Sequence, residues 1–208
     1  MTFPSLELEQ ALLQQHGSII GLDEVGRGAL AGPVAVGAFF FTADQLTGMP
    51  EGLRDSKLIS ETKRPGVAQL VKAWGEFSVG LSSAQEIEDI GITKALALAA
   101  SRAMESLAKP GVVLLDGSHN WLGTELGPVL VRAKADRDCG SVAAASVVAK
   151  VHRDQLMVSL EDSHPGYGFA KNKGYSSPSH IAALRENGPS TEHRNSWLGK
   201  ILASDVLF

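Results

Sequence analysis

Ser18-Ile19-Ile20-Gly21-Leu22-Asp23-Glu24-Val25-Gly26-Arg27-Gly28-Ala29-Leu30-Ala31-Gly32-Pro33 opens as an apolar run and closes in a glycine-rich turn. The run Ser18–Leu22 reads as a buried strand, and Val34–Phe41 reads as a second strand leaving the turn. Two adjacent carboxylates, Asp23 and Glu24, stand where the first strand ends, and Arg27 sits between two glycines. A charge at the end of an apolar run is costly unless it is paired or bound to metal. Paired acids, a permissive backbone and a guanidinium within a few residues suit a site for metal and phosphate. Strand alternation should send Asp23 and Glu24 to opposite faces. They can share a site only if the strand ends or twists there, or if Glu24 contributes its backbone carbonyl.

Gly26 to Ala31 also fits the loose G-x-G-x-x-G/A pattern of dinucleotide-binding proteins. That fingerprint needs the turn to open a helix whose N-terminus meets a pyrophosphate. Here Gly32-Pro33 and a β-like run follow instead, so this reading is rejected. Bare backbone groups approaching a sugar–phosphate chain fit better. A purely structural turn would explain the glycines but not Arg27.

Outward from this stretch, the chain reads as alternating strands and helices. Leu6, Leu8, Ala11 and Leu12 suggest a short amphipathic cap helix ending near Gly17. Ser60 is expected to cap a helix running to about Trp74. Phe77–Leu81 is a third strand, and Ser82 or Ser83 with Glu86 resembles a capping box for the helix that Gly91 breaks. Ile92–Leu107 is a core helix, Gly111–Gly117 a buried strand, and Val129–Val131 a short one. A long helix spans Ser141 to about Leu160, followed by a Gly/Lys/Tyr-rich loop over 164–178 and a short helix over Ser179–Glu186. The tail around Glu192–Trp197 is polar with one aromatic anchor.

The 208 residues suit one α/β domain with a full core. No apolar run reaches the roughly 18 residues of a membrane helix, and the start lacks the basic and apolar regions of a signal peptide. With a single cysteine, Cys139, no internal disulfide can form, so a cytoplasmic location is expected. Cys139 is taken as a packing residue, since no base stands beside it in any motif. The six histidines show no metal-ligand spacing, so no structural zinc is expected. The net charge of −4 argues weakly against nucleic acid, but it is unevenly spread. Residues 131–208 carry 10 basic and 8 acidic side chains, against 9 and 15 in residues 1–130.

Asp116 and Asp136 join Asp23 and Glu24 as acids read at the point where a strand gives way to a turn. Strand ends in one sheet lie side by side, so such acids can converge into an all-oxygen set suited to Mg²⁺ or Mn²⁺. Asp136 taken alone could equally be an ordinary turn residue or helix cap, a reading that suits Asp23-Glu24 less well. Asp154, four residues after Lys150 on the long helix, reads as an ion-pair partner instead.

Taken together, these motifs resemble ribonuclease HII, the bacterial type 2 ribonuclease H. Asp23-Glu24-Val25-Gly26-Arg27-Gly28 with Leu30-Ala31-Gly32-Pro33 is similar to the family's opening signature. Asp55-Ser56-Lys57, Leu115-Asp116-Gly117, and Lys134-Ala135-Asp136 with Ala144–Val151 and Arg153-Asp154 resemble the next motifs in order. Lys173-Gly174-Tyr175 and His193-Arg194 resemble the C-terminal ones. The second motif departs by carrying Leu58 where a second lysine is commoner, and Asp138 adds an acid beside Asp136.

The resemblance implies a ribonuclease H-like α/β fold: a mixed five-stranded sheet flanked by helices, with a small helical C-terminal region. It implies a single catalytic domain over 1–208, with a cap helix over about 1–17 and a substrate-binding extension over about 164–208. The implied activity is metal-dependent endonucleolytic hydrolysis of the RNA strand of RNA–DNA hybrids. Cutting 5′ of ribonucleotides embedded in duplex DNA is also implied, leaving a 3′-hydroxyl and a 5′-phosphate, in the service of ribonucleotide removal. Asp23, Glu24, Asp116 and Asp136 would be the catalytic, metal-binding acids of a two-metal site. Gly26, Arg27 and Gly28 would hold the ribonucleotide at its 2′-OH and neighbouring phosphate, Lys57 would contact phosphate, and Tyr175 would stack on the sugar at the RNA-to-DNA junction. A monomer is expected; Trp197–Phe208 offers no convincing motif for docking a sliding clamp. Two rivals remain at this point: a binding module that has lost catalysis, and a nuclease of the same fold acting on DNA junctions.

Overall fold

The computed structural model of the chain describes residues 3–123 and 127–202. Five strands form one sheet: β1 (Ile19–Val25), β2 (Val34–Phe41), β3 (Phe77–Ser82), β4 (Val112–Asp116) and β5 (Val129–Arg132), in the order β3-β2-β1-β4-β5. β1, β2 and β3 pair antiparallel, while β1–β4 and β4–β5 pair parallel, so the sheet is mixed as expected.

Alternation along the strands divides the core between two faces. Ile19, Phe39, Phe41, Val112 and Leu114 face Leu12 of α1 (Glu7–His16), Trp74 of α2 (Arg64–Trp74) and the small residues of α6 (Gly140–Ser163). Ile20, Leu22, Val36, Val113 and Leu115 face Ile87 of α3 (Ala84–Ile90) and Leu96, Ala99 and Ala103 of α4 (Ile92–Met104). Burying each large side chain contributes roughly 1.5–3 kcal/mol against leaving it in water. A third cluster of Leu30, Ala31, Met157, Phe169, Leu184 and Leu198 fastens the C-terminal region against the turn that follows β1. That region consists of α7 (Phe169–Asn172), α8 (Pro178–Asn187) and α9 (Asn195–Leu202).

Helix α6 lies unusually close to the sheet. A Cβ on Gly21 would lie 2.6 Å from the Ser141 carbonyl carbon, and one on Gly37 would overlap the Ala145 carbonyl oxygen. Glycine on the strands and alanine on the helix let the two backbones nearly touch. Ser146, one residue beyond Ala145, is thereby brought down beside β1.

Several boundaries differ from the sequence reading. β1 continues three residues past Leu22, because Asp23, Glu24 and Val25 pair with Gly37, Val36 and Ala35 of β2. Asp23 and Glu24 are therefore strand residues, and Asp136 lies within a short helix, α5 (Ala135–Asp138), beyond β5. Ser60 does not cap α2: turns occupy 61–63, and the helix starts at Arg64 with Pro65 in its first turn. The expected loop over 164–178 contains α7, and the polar tail contains α9. The Ser83–Glu86 capping box is present as read. Among the described residues no helix is long and apolar enough to cross a membrane. Part of the tail considered for clamp docking, 203–208, lies outside the described residues.

Candidate active site

The extra length of β1 creates the opening in which the acids meet. Its parallel ladder to β4 stops at Leu22–Leu115, while its antiparallel ladder to β2 runs on to Val25–Ala35. Asp23 and Glu24 thus border the space beyond the carboxyl end of β4, where Asp116 is the last strand residue. In open α/β sheets such crevices outside strand carboxyl ends are the usual ligand positions.

Asp116 ties the next acid into place. Lys134, with a left-handed φ of 63°, turns the chain from β5 into α5. The N–H groups of Ala135 and Asp136 then point at Asp116 Oδ1, at 2.7 and 3.4 Å. Asp136 is 5% exposed, with Lys57 Nζ 3.6 Å from its Oδ2. Asp23 has the Ser146 hydroxyl close by, which itself donates to Ser56 Oγ at 2.9 Å, and its Oδ1 accepts the Glu24 N–H at 2.9 Å. Glu24 Oε1 lies 3.8 Å from Arg27 Nη1. Asp138 is engaged elsewhere, on Arg132 Nη2 at 3.0 Å.

Crowding shows in the acids' affinities for protons. Burial, and then the charges of Glu24, Asp116 and Asp136, push Asp23 well above the usual carboxylate range, against the nearby Ser146 hydroxyl. Burial raises Glu24, with Asp116 adding and Arg27 opposing. Burial and then Asp116 and Asp55 push Asp136 up to about 6, against Lys57. Burial pulls the Lys57 ammonium down, but Asp23, Asp55, Asp136 and Asp116 outweigh it and leave the ammonium above its usual range. Among the described residues, no three His, Cys, Asp or Glu side chains stand in a geometry that would hold a metal ion. The donor set nevertheless fits a hard divalent cation: it is all oxygen, and burial together with mutual repulsion raises Asp23, Glu24 and Asp136 above their usual range. A bound cation would relieve that repulsion directly.

The glycine turn beside the acids is held from behind by two arginines. Gly26 has φ +84°, and a Cβ there would collide with Arg153 Nε. Arg153 and Arg194 are both 0% exposed. Arg153 donates to the carbonyls of Pro33 (2.8 Å), Lys173 (2.9 Å) and Ala31 (3.2 Å). Arg194 donates to those of Gly26 (2.8 Å), Arg27 (2.9 Å) and Gly32 (2.9 Å). Gly26 is buried, Arg27 half-buried, and Gly28 exposed with open space around its Cα. Gly174 completes the fit, its carbonyl accepting the N–H groups of Leu30 and Ala31. The adjacent Tyr175 is 36% exposed, and its ring lies over the Arg153 guanidinium at 5.5 Å.

The structure therefore gathers Asp23, Glu24, Asp116, Asp136 and Lys57 around one opening, beside a turn carrying Gly26, Arg27 and Gly28. The Lys173–Tyr175 loop packs onto that turn. Period-2 alternation is not violated by Asp23 and Glu24: the first faces α6 through Ser146, while the second turns toward Arg27. The sequence motifs contain Arg153, Arg194 and Ser146 without giving them a role, and His180 stands outside them. The signal available for the arginines was a charge inside stretches that otherwise pack. Asp154 pairs with Lys150 at 2.6 Å, as the helical spacing indicated.

The family model for ribonuclease HII matches residues 20–200. A ribonuclease HII of Streptomyces avermitilis is 46% identical over 203 residues, covering 93% of this chain and 83% of the relative. One from Paracoccus denitrificans is 41% identical over 210 residues, covering 99% and 98%. Among solved structures, the ribonuclease H2 of Pyrococcus horikoshii OT3 superposes with a TM-score of 0.73 at 24% identity, covering 89% of this chain and 97% of its own.

Proposed function

The chain belongs to the ribonuclease HII family and is an endoribonuclease acting on RNA–DNA hybrids; from that premise we propose that it also cuts on the 5′ side of ribonucleotides embedded in duplex DNA. The products are a 3′-hydroxyl and a 5′-phosphate, and the activity serves ribonucleotide removal. In this reading Asp23, Glu24, Asp116 and Asp136 hold Mg²⁺ or Mn²⁺. Two such ions, when bound, supply charge stabilisation to the attacking and leaving oxygens of a phosphodiester.

The chain's own residues choose the bond. The Gly26-Arg27-Gly28 turn presents backbone groups with no side chain in the way at Gly28. A 2′-OH gives those groups a partner, and a deoxyribose leaves them unpaired. Sites built this way reject the analogue lacking the hydroxyl by large factors. Arg27 and Lys57 supply positive charge to phosphates on either side of the opening. Tyr175 offers its ring to the sugar following the ribonucleotide. The observation that carries this reading is the adjacency of the mutually repelling acids to a turn whose backbone two buried arginines hold fixed.

The test is cleavage of two duplexes identical except for one 2′-OH, with Mg²⁺ and Mn²⁺ titrated in turn. The ribonucleotide duplex should be cut at its 5′ side and the all-DNA duplex left intact. Equal cleavage of both would favour a DNA-junction nuclease, and binding without cleavage a module that has lost catalysis.

A further inference from the structure

The Tyr175 loop is tied from below by a chain of hydrogen bonds through two buried imidazoles. His180 Nδ1 lies 2.8 Å from the Tyr175 carbonyl oxygen. His180 Nε2 lies 3.0 Å from His193 Nε2, and the Ser190 N–H donates to His193 Nδ1 at 2.9 Å. The two ends of this chain fix its direction. A carbonyl only accepts, so His180 Nδ1 carries a proton. A backbone N–H only donates, so His193 Nδ1 is bare. Two neutral rings can then meet in one way: His193 Nε2–H donates to His180 Nε2.

The surroundings keep both rings neutral. His180 is 0% exposed and His193 is 2%. Tyr167 packs on His193 at 4.8 Å between ring centroids, and Phe169 meets His180 edge-on at 5.5 Å. Burial first, then His180 and His164, push His193 down to about 4, and burial also lowers His180. The chain joins three separate segments: the Tyr175 loop, α8 carrying His180, and the loop before α9 carrying His193. Filling the space with apolar side chains would have served packing alone. Two imidazoles with defined tautomers instead set the distance to a particular carbonyl.

We propose that His180 and His193 are positioning residues for Tyr175, a directed neutral imidazole chain that fixes the backbone from which its ring meets the sugar at the RNA-to-DNA junction. The proposal rests on the sugar-stacking role of Tyr175, so the experiment must separate the two. Steady-state kinetics on the embedded-ribonucleotide duplex would compare Tyr175→Ala, His193→Gln and the double variant. His193→Gln should raise KM about tenfold, the equivalent of one lost hydrogen-bonded contact, with kcat within about twofold. The double variant should be no worse than Tyr175→Ala alone, since residues acting through one another are not additive.

Additive losses would overturn the proposal. A raised KM in Tyr175→Ala with none in His193→Gln would also overturn it, leaving the role of Tyr175 intact. An unchanged KM in Tyr175→Ala would remove both. A measurement on the unaltered protein guards against a variant that fails to fold. Nitrogen-15 NMR of the histidine rings at neutral pH should find the proton on Nδ1 of His180 and on Nε2 of His193. The opposite tautomers would overturn the proposal.

Discussion

The acids in front of the glycine turn and the arginines behind it are buried by opposite rules. Asp23 and Asp136 are hidden from water with like charges as neighbours, and their affinity for protons is raised as a result. Arg153 and Arg194 are more deeply hidden, yet both donate to carbonyls of the turn, and Arg153 also to that of Lys173. One region is left with surplus charge, and the other is internally satisfied. Surplus charge belongs where something must bind, and satisfied charge where the backbone must not move.

The sharpest way to break this contrast is to remove one acid without disturbing its hydrogen bonds. Asp116→Asn keeps an Oδ1 for the N–H groups of Ala135 and Asp136. The fold should hold, with Tm near that of the unaltered protein. Hybrid cleavage should fall by about 10³-fold or more, as when a group stabilising only the transition state is lost. A variant that still cut at the original rate would remove Asp116 from the proposed metal set.

The arginine side predicts a loss of the other kind. Arg194→Met strands the carbonyls of Arg27 and Gly32 and leaves that of Gly26 only the Ala29 N–H. The cost should be about 3 kcal/mol, at roughly 1–3 kcal/mol for each carbonyl left without a partner and some relaxation. Calorimetry would register this as a Tm drop of roughly 6–12 °C. Arg194→Lys should recover little, because an ammonium cannot reproduce the guanidinium fork. Full stability in the lysine variant would mean that charge, not geometry, holds the turn.

This contrast was only half legible in the sequence. β2 was readable to its ends because Val34–Phe41 is apolar throughout. β1 was read three residues short, because Asp23 and Glu24 look like the end of a strand. Their backbones are nonetheless satisfied by β2, a long-range pairing that no local pattern reveals. The acids could be gathered by the logic of strand ends and by family resemblance, even though Asp136 belongs to a short helix. Arg153 and Arg194 were visible only as members of motifs. Their partners are carbonyls roughly 20 to 170 positions away, and backbone oxygens leave no mark in a sequence. His193, too, is visible only as a member of a motif, and His180 not at all, for a related reason: no metal spacing connects them, only a fold that brings α8 to the following loop.

A smaller effect tests whether the surplus of negative charge is real. Asp23→Asn keeps an Oδ1 for the Glu24 N–H while removing a carboxyl group whose ionisation burial and three other acids oppose. In metal-free buffer the variant should be more stable, on the order of 1 kcal/mol, the scale of relieving like-charge repulsion in a site of this kind. It should also lose most of the Tm rise that Mg²⁺ or Mn²⁺ gives the unaltered protein through binding to the folded state. Destabilisation of the metal-free variant would mean that the Asp23 charge is already compensated within the protein.

The last contrast sets Asp136 against His193, the neighbour of Arg194, through pH, again without metal. Asp136 titrates at about 6 when folded, against an ordinary carboxylate value near 3.8. Between those values the folded state binds more protons than the unfolded one, so the contribution of Asp136 to stability falls as pH rises. His193 titrates at about 4 when folded, against an ordinary 6.5. There the unfolded state binds more protons, and the contribution of His193 grows as pH rises through the same range. The two slopes oppose each other in the unaltered protein and should part in single variants. Urea unfolding of Asp136→Asn should show a gain over the parent that increases from about pH 4 to about pH 6. His193→Gln should show a deficit that is largest above about pH 6.5 and shrinks toward about pH 4. Two differences that grow with pH in opposite directions require an acid held protonated in one region and an imidazole held neutral in the other. Parallel, pH-independent offsets would mean that neither group is held away from its ordinary titration.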